Sequence, residues 1–331
     1  MFALEFSIGI AASQRRRLKA CGVVRTDMSA NAASPQAAAS VLSAVDATTD
    51  VRTVNGVDLH VVAAGDPDDP LVVLLHGFPE FWYGWHDQLE PLVDAGYRVL
   101  VPDQRGYNLS EKPESVRAYR RQQLARDIVE LIDSESRDAA HVVGHDWGGM
   151  VAWDLALRHP AVVDRLAIVN APHPTVFRQH LRSNPAQLRR SWYAACFQVP
   201  WLPELVCRYD DFRLLERALR ETAAPGTFAD ADLGRYRRAW SEDGALSGMI
   251  NWYRASARYS TTVPRERVDA PTLLAWGTDD AALGTELAVD SYDYCAREGR
   301  RLELFEGTSH WVQHEEPERL TATLLEHFEA E

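Results

Sequence analysis

Lysine is nearly missing: among 331 residues only Lys19 and Lys112 are lysines, and every other basic residue is an arginine. Acidic residues outnumber basic ones, 48 to 35, for a formal net charge of −13. That balance argues against nucleic acid as the main partner, because phosphate contacts need clustered Lys and Arg. A run of about 18 or more apolar residues is also missing, so no membrane span is expected. Cysteine is sparse. Cys21, Cys196, Cys207 and Cys295 show no CxxC spacing, which fits a reduced, cytoplasmic protein with incidental buried thiols. Hydrophobic residues at 46% and charged residues at 25% exclude a disordered or collagen-like chain.

Residues 1–48 differ from the rest. Arg15, Arg16, Arg17, Lys19 and Arg25 face only Glu5, Asp27 and Asp46, and the segment runs into an Ala/Ser-rich tract with no apolar period able to bury a face. Its apolar stretch precedes the arginines, the reverse of a secretory signal. A disordered extension is expected there, with Met28 as an alternative start.

From Asp50 onward the pattern is regular. Asn55-Gly56 reads as a hairpin turn between two short strands. Apolar runs of strand length follow at residues 71–75, 97–101, 141–143, 165–170, 272–276 and 302–305. They are apolar on both faces, which suits a parallel sheet covered by helices. Between them lie helical patterns such as Leu124, Ile128, Leu131 and Ile132 on one face, and Leu320, Leu324, Leu325 and Phe328 on another. The alternation implies an open α/β sheet with helices on both faces. Residues 172–268 break it with a helical, Trp-, Tyr- and Arg-rich stretch. The expected organisation is therefore an α/β core at 49–171 and 269–331, interrupted by a helical cap at 172–268.

The sharpest chemical feature is Gly144-His145-Asp146-Trp147-Gly148-Gly149, between a strand and a helical pattern. Small residues two before and two after Asp146 permit a sharp turn that lifts the central side chain above the sheet. Serine is the better-known occupant; here it is a carboxylate, whose blander role would be to cap the helix. A nucleophile in such a turn needs a later acid and then a histidine. Asp279 and Asp280 follow one late strand run and His310 follows the next, both at strand C-terminal ends, where open sheets place their sites. His76-Gly77-Phe78-Pro79 follows residues 71–75. The N–H of Phe78 could join that of Trp147 in an oxyanion hole, although Gly and Pro also suit a plain tight turn. His310 and His314 are four apart, as a helical zinc pair would be. No glutamate follows His310 and no third ligand is spaced for it, so no metal is expected.

These pieces, with Asp103-Gln104-Arg105-Gly106-Tyr107 and Asn251-Trp252-Tyr253-Arg254, make the chain from about Asn55 onward resemble the α/β-hydrolase superfamily, and within it the soluble epoxide hydrolases. The resemblance implies Asp146 as nucleophile, His310 as general base, Asp280 as its orienting acid, and two lid tyrosines, Tyr253 in the NWYR pattern and Tyr236 at the less regular position. It implies an oxyanion hole from Phe78 and Trp147, and His76, Pro79 and Trp252 beside the substrate. Asn108 departs from the family, where a glycine often follows RGY. Trp82, Trp85, Trp192, Trp201 and Trp252 are expected to form apolar walls suited to aryl or alkyl substrates.

The implied reaction converts a small apolar epoxide and water into a vicinal diol through an ester on Asp146, with no cofactor; a homodimer is left open. Two rivals stand beside it. A haloalkane or haloacetate dehalogenase uses the same three residues, but Phe78 offers no side-chain donor for a halide, and Trp147 stands where a fluoroacetate-type enzyme has arginine. A non-catalytic binding protein on the same fold need not keep all of Asp146, Asp280 and His310.

Overall fold

A computed structural model describes residues 42–259 and 262–330; most of the N-terminal segment, with the expectation of disorder there, lies outside the described residues. Eight strands form one sheet in the order β1-β2-β4-β3-β5-β6-β7-β8. Strands β1 (Thr48–Val54) and β2 (Val57–Ala64) are the hairpin around Asn55-Gly56. Asn55 and Gly56 both take positive φ, as the tight turns that match strand twist require. Strand β2 runs antiparallel to β4 (Arg98–Pro102). From β4 through β3 (Leu71–Leu75), β5 (Ala140–His145), β6 (Val163–Val169), β7 (Thr272–Gly277) and β8 (Arg301–Phe305) all neighbours are parallel.

The apolar runs become strands because they can be buried on both faces. Every residue of β3 and of β7 is buried, and each fully buried Leu or Val stabilises by roughly 1.5–3 kcal/mol. Helices α1 (His86–Asp94), α2 (Arg121–Ser134) and α3 (Trp147–Arg158) follow the first strands. Six helices without an intervening strand come next: α4 (Pro174–Ser183), α5 (Pro185–Arg190), α6 (Trp192–Cys196), α7 (Leu202–Thr222, broken at residues 209–212), α8 (Asp230–Ser241) and α9 (Ala245–Arg258). Helix α10 (Thr285–Tyr292), the short α11 (Val312–Glu315) and α12 (Pro317–Glu329) complete the chain. Helices α1 and α12 pack together, as do α2 and α3, covering the sheet.

Two expectations need correction. Trp192 and Trp201 are 62% and 70% exposed, so they are surface residues and not pocket walls, whereas Trp82, Trp85 and Trp252 are buried. Cys196 is exposed, unlike Cys207 and Cys295. The departure at Asn108 has a simple reason: its φ is +40°, which asparagine tolerates best after glycine, and its side-chain amide donates to Asp103 at 2.7 Å. Among the described residues no helix is long and apolar enough to cross a membrane.

Candidate active site

Asp146 sits between β5 and α3 with φ 50° and ψ −117°. A non-glycine residue in such backbone costs on the order of 1–3 kcal/mol and persists only where its surroundings dictate it. Those surroundings are glycines. A Cβ on Gly148 would lie 2.1 Å from the Leu75 carbonyl oxygen, and one on Gly144 2.4 Å from that of Gly148. Any larger residue would push the start of α3 off the strand ends. A Cβ on Gly77 would meet the Asp146 side chain itself, 2.4 Å from its Cβ.

The carboxylate is thereby held against the loop after β3. Its Oδ1 accepts the Phe78 N–H at 2.8 Å. Trp147 opens α3, so its N–H has no carbonyl partner within the helix and remains available to an oxygen on Asp146. On the other side His310 Nε2 lies 3.7 Å from Asp146 Oδ2, and His310 Nδ1 lies 2.6 Å from Asp280 Oδ2. Asp280 is buried and accepts three further N–H groups, from Asn170 at 2.7 Å, Ala282 at 2.7 Å and Leu283 at 2.9 Å. The choice between adjacent acids is thus geometric: Asp279 turns its backbone N–H to the Thr308 carbonyl, and Asp280 faces the imidazole.

The electrostatics follow from this packing. Burial works to deprotonate His310, but Asp280 outweighs it, with Asp146 and Glu80 adding to the effect, and the imidazole is pushed up to about 9. Burial alone would raise the Asp280 carboxyl; the adjoining His310 and the Asn170 amide instead hold it below its ordinary value. The resting site is therefore an imidazolium between two carboxylates.

Tyr253 projects from α9 into an aromatic cluster. Its ring centroid lies 4.8 Å from that of Trp147, 5.3 Å from Phe78, 4.8 Å from Phe197 and 5.9 Å from Tyr193. Arg254, next in the NWYR pattern, explains how α9 positions this wall: its guanidinium pairs with Glu204 at 2.5 Å and donates to the carbonyls of Phe197 and Val199. Burial pushes the Tyr253 phenol well up, with Tyr193 and Asp146 adding to it. Burial likewise raises Tyr193, followed by the charges of Asp146 and Asp280, with the neighbouring Tyr253 opposing them. Both phenols stay protonated and can donate.

Tyr236, expected as the second lid donor, is placed elsewhere. Its hydroxyl donates to Glu80 Oε1 at 2.7 Å, on the buried face of α8. Tyr193 takes the position beside Tyr253. The signal in the sequence was weak, because Ser191-Trp192-Tyr193 is short and opens a five-residue helix with no distinctive periodicity. Three residues expected beside the substrate have their polar atoms committed to the scaffold. His76 Nε2 accepts the Gln104 N–H at 3.0 Å, the Pro79 carbonyl accepts the Trp240 indole at 2.6 Å, and the Trp252 indole donates to the Arg105 carbonyl at 2.9 Å.

Glu80 was also missed. It is buried and accepts from Tyr236, from His314 Nε2 at 2.7 Å and from the Gln313 amide at 3.0 Å, with His145 Nδ1 at 3.3 Å. Burial would raise its carboxyl, but His314 and His145 hold it well below the usual range. His145 in turn contacts the His310 carbonyl oxygen at 2.9 Å, which ties the network to the loop that carries His310.

Known proteins resemble this chain in sequence and in fold. The family described as α/β hydrolase fold matches residues 70–317. The chain is 44% identical over 273 residues to the AB hydrolase superfamily protein YfhM of Bacillus subtilis, covering 82% of this chain and 95% of that one. It is 41% identical over 267 residues to Epoxide hydrolase 1 of Caenorhabditis elegans, covering 79% and 65% respectively. A crystal structure of Bacillus megaterium epoxide hydrolase in complex with an inhibitor superposes with a TM-score of 0.77 at 27% identity, over 84% of this chain and 99% of that one.

Proposed function

The chain belongs to the α/β hydrolase fold family and is an epoxide hydrolase, and we propose that it opens its substrate through a covalent ester on Asp146. The observation that carries this mechanism is a carboxylate at the elbow, held by the Phe78 N–H and lying within electrostatic range of the two protonated phenols of Tyr193 and Tyr253. A carboxylate oxygen attacks one epoxide carbon and the strained C–O bond breaks. The departing oxygen takes a proton from Tyr193 or Tyr253, whose acidity is closer to an alkoxide's needs than a carboxylic acid's. The product of this step is a hydroxyalkyl ester.

Forming the ester removes the negative charge of Asp146, one of the influences that raise His310. The imidazole pKa falls, the imidazolium passes its proton to the tyrosinate left by ring opening, and the now neutral His310 can take a proton from water. The resulting hydroxide attacks the Asp146 carbonyl carbon, the oxyanion is met by the N–H groups of Phe78 and Trp147, and Asp280 steadies the imidazolium. Collapse expels the diol alkoxide, which takes the proton of the hydroxyl added to Asp146; His310 keeps the proton taken from water, and the resting imidazolium and carboxylate are restored. Residues 172–268 act as the cap that carries both phenols. Free Cys196, Cys207 and Cys295 support a reducing, cytoplasmic setting.

The test is an assay of styrene-type and aliphatic epoxides beside haloalkanes and haloacetates, with single turnovers run in heavy-oxygen water. Diol should form without halide release, and the first label should enter the Asp146 carboxylate. Label found only in the diol after one turnover would refute the ester. Tyr193→Phe and Tyr253→Phe should each slow ester formation roughly 10²-fold and spare ester hydrolysis in rapid-quench experiments. Tyr236→Phe should leave alkylation unchanged and cost about 1 kcal/mol of stability, the worth of its bond to Glu80.

A further inference from the structure

A second set of ligating side chains lies outside the triad, where α1 and α11 approach α8. One ligand atom from each of His86, Asp87 and His314 falls within 4.8 Å of the others. They border a cavity of about 60 Å³ that Tyr83, Asp232 and Tyr236 also line. The sequence pairs His314 with His310; the fold separates them, giving His310 to the triad and His314 to this cluster.

The two imidazoles are already arranged as metal ligands usually are. A ligating histidine commonly donates its other ring N–H to a carbonyl or carboxylate, which fixes the tautomer and turns the free nitrogen outward. His86 Nδ1 lies 2.8 Å from the Tyr83 carbonyl oxygen. That partner only accepts, so Nδ1 carries the proton and Nε2 keeps a lone pair. His314 Nε2 lies 2.7 Å from the Glu80 carboxylate, so Nε2 carries a proton and Nδ1 is the nitrogen left to face a ligand.

His86 Nε2 then faces Asp87 Oδ1 at 3.3 Å. A cation placed between these two atoms, a proton or a metal ion, meets both. The neighbouring acid is not free to do the same work: Asp232 is taken by the Tyr83 hydroxyl at 2.9 Å and by Arg235 at 2.7 Å.

We propose that His86 Nε2, the Asp87 carboxylate and His314 Nδ1 bind a divalent transition-metal ion of the zinc class, with water as the fourth ligand. Two imidazoles and one carboxylate suit zinc, cobalt or nickel better than magnesium or calcium, which prefer all-oxygen shells. Bond lengths of about 2.0–2.2 Å require the ligands to draw closer than they stand. Asp87, exposed in the first turn of α1, is free to swing inward. This site is independent of the ester mechanism and survives its failure.

Calorimetric titration of the chelator-treated, full-length protein with zinc chloride tests the site, together with cobalt titration followed by visible absorption. One saturable ion per chain is expected, with the intense spectrum of tetrahedral cobalt and no response to magnesium. His86→Gln should weaken zinc at least about 100-fold. Asp87→Ala, at an exposed position, should weaken it about tenfold without risk to the fold. His310→Gln should bind as the parent does. No saturable binding overturns the proposal. So does binding that persists in both His86→Gln and Asp87→Ala, or that is lost in His310→Gln and kept in His86→Gln.

Discussion

Asp146→Ala is expected to lower turnover by about 10⁵-fold or more, the scale on which covalent enzymes lose activity with their nucleophile. Among the described residues the neighbouring carboxylates, Asp280 and Glu80, are both committed elsewhere. Asp280 is buried and fully engaged by His310, Asn170 and two backbone N–H groups, and Glu80 is enclosed by Tyr236, His314 and Gln313. The change also removes one of the charges that raise His310, so the imidazole titrates lower in the variant. Alanine relieves none of the positive-φ cost at this position, so the circular dichroism spectrum should match the parent, separating lost chemistry from lost fold. Diol formation within tenfold of the parent, measured on a sensitive chromatographic assay, would require another nucleophile.

His310→Gln should halt the cycle one step later. Tyr193 and Tyr253 remain to protonate the epoxide oxygen, so the ester still forms. Without a base for water its hydrolysis slows by roughly 10³-fold. The substrate should give a burst of one equivalent and then stop. Intact-protein mass spectrometry should show a gain equal to the whole epoxide, because ring opening expels no leaving group and the alkoxide only gains a proton; displacement from an organohalide would add less, the halide having departed. A variant that loses substrate in a burst yet gains no mass on the peptide bearing Asp146 would sink the covalent route.

The same substitution has a consequence for stability. A histidine raised from 6.5 to about 9 in the folded protein stabilises fully below about 6.5, and that contribution disappears as pH rises through about 9. The parent should therefore lose melting temperature across this window. His310→Gln should show a flatter profile there, since glutamine carries no charge to lose.

Much of this enzyme could be read from order and spacing alone. The strands were legible because doubly buried apolar runs have few other uses, and the elbow because Gly144 and Gly148 flank a residue that must turn sharply. Asp146 and His310 stood out as the central residue of that turn and a late histidine at a strand end. These are local demands, written within a few neighbouring residues. What the chain order could not supply was partnership over distance. Asp279 and Asp280 are equivalent as letters; only the packing of β7 against β8 turns the second toward the imidazole. Tyr236 and Tyr193 both lie among the cap helices, and only the way α8 docks sends one phenol to Glu80 while Arg254, gripping the segment after α6, helps bring the other beside Tyr253. Glu80 and His314, 234 positions apart, meet because a loop after β3 and a short helix near the C-terminus converge at one end of the sheet. Steric necessity acts between neighbours and leaves its mark in sequence; charge and hydrogen bonding act between whatever the fold brings together.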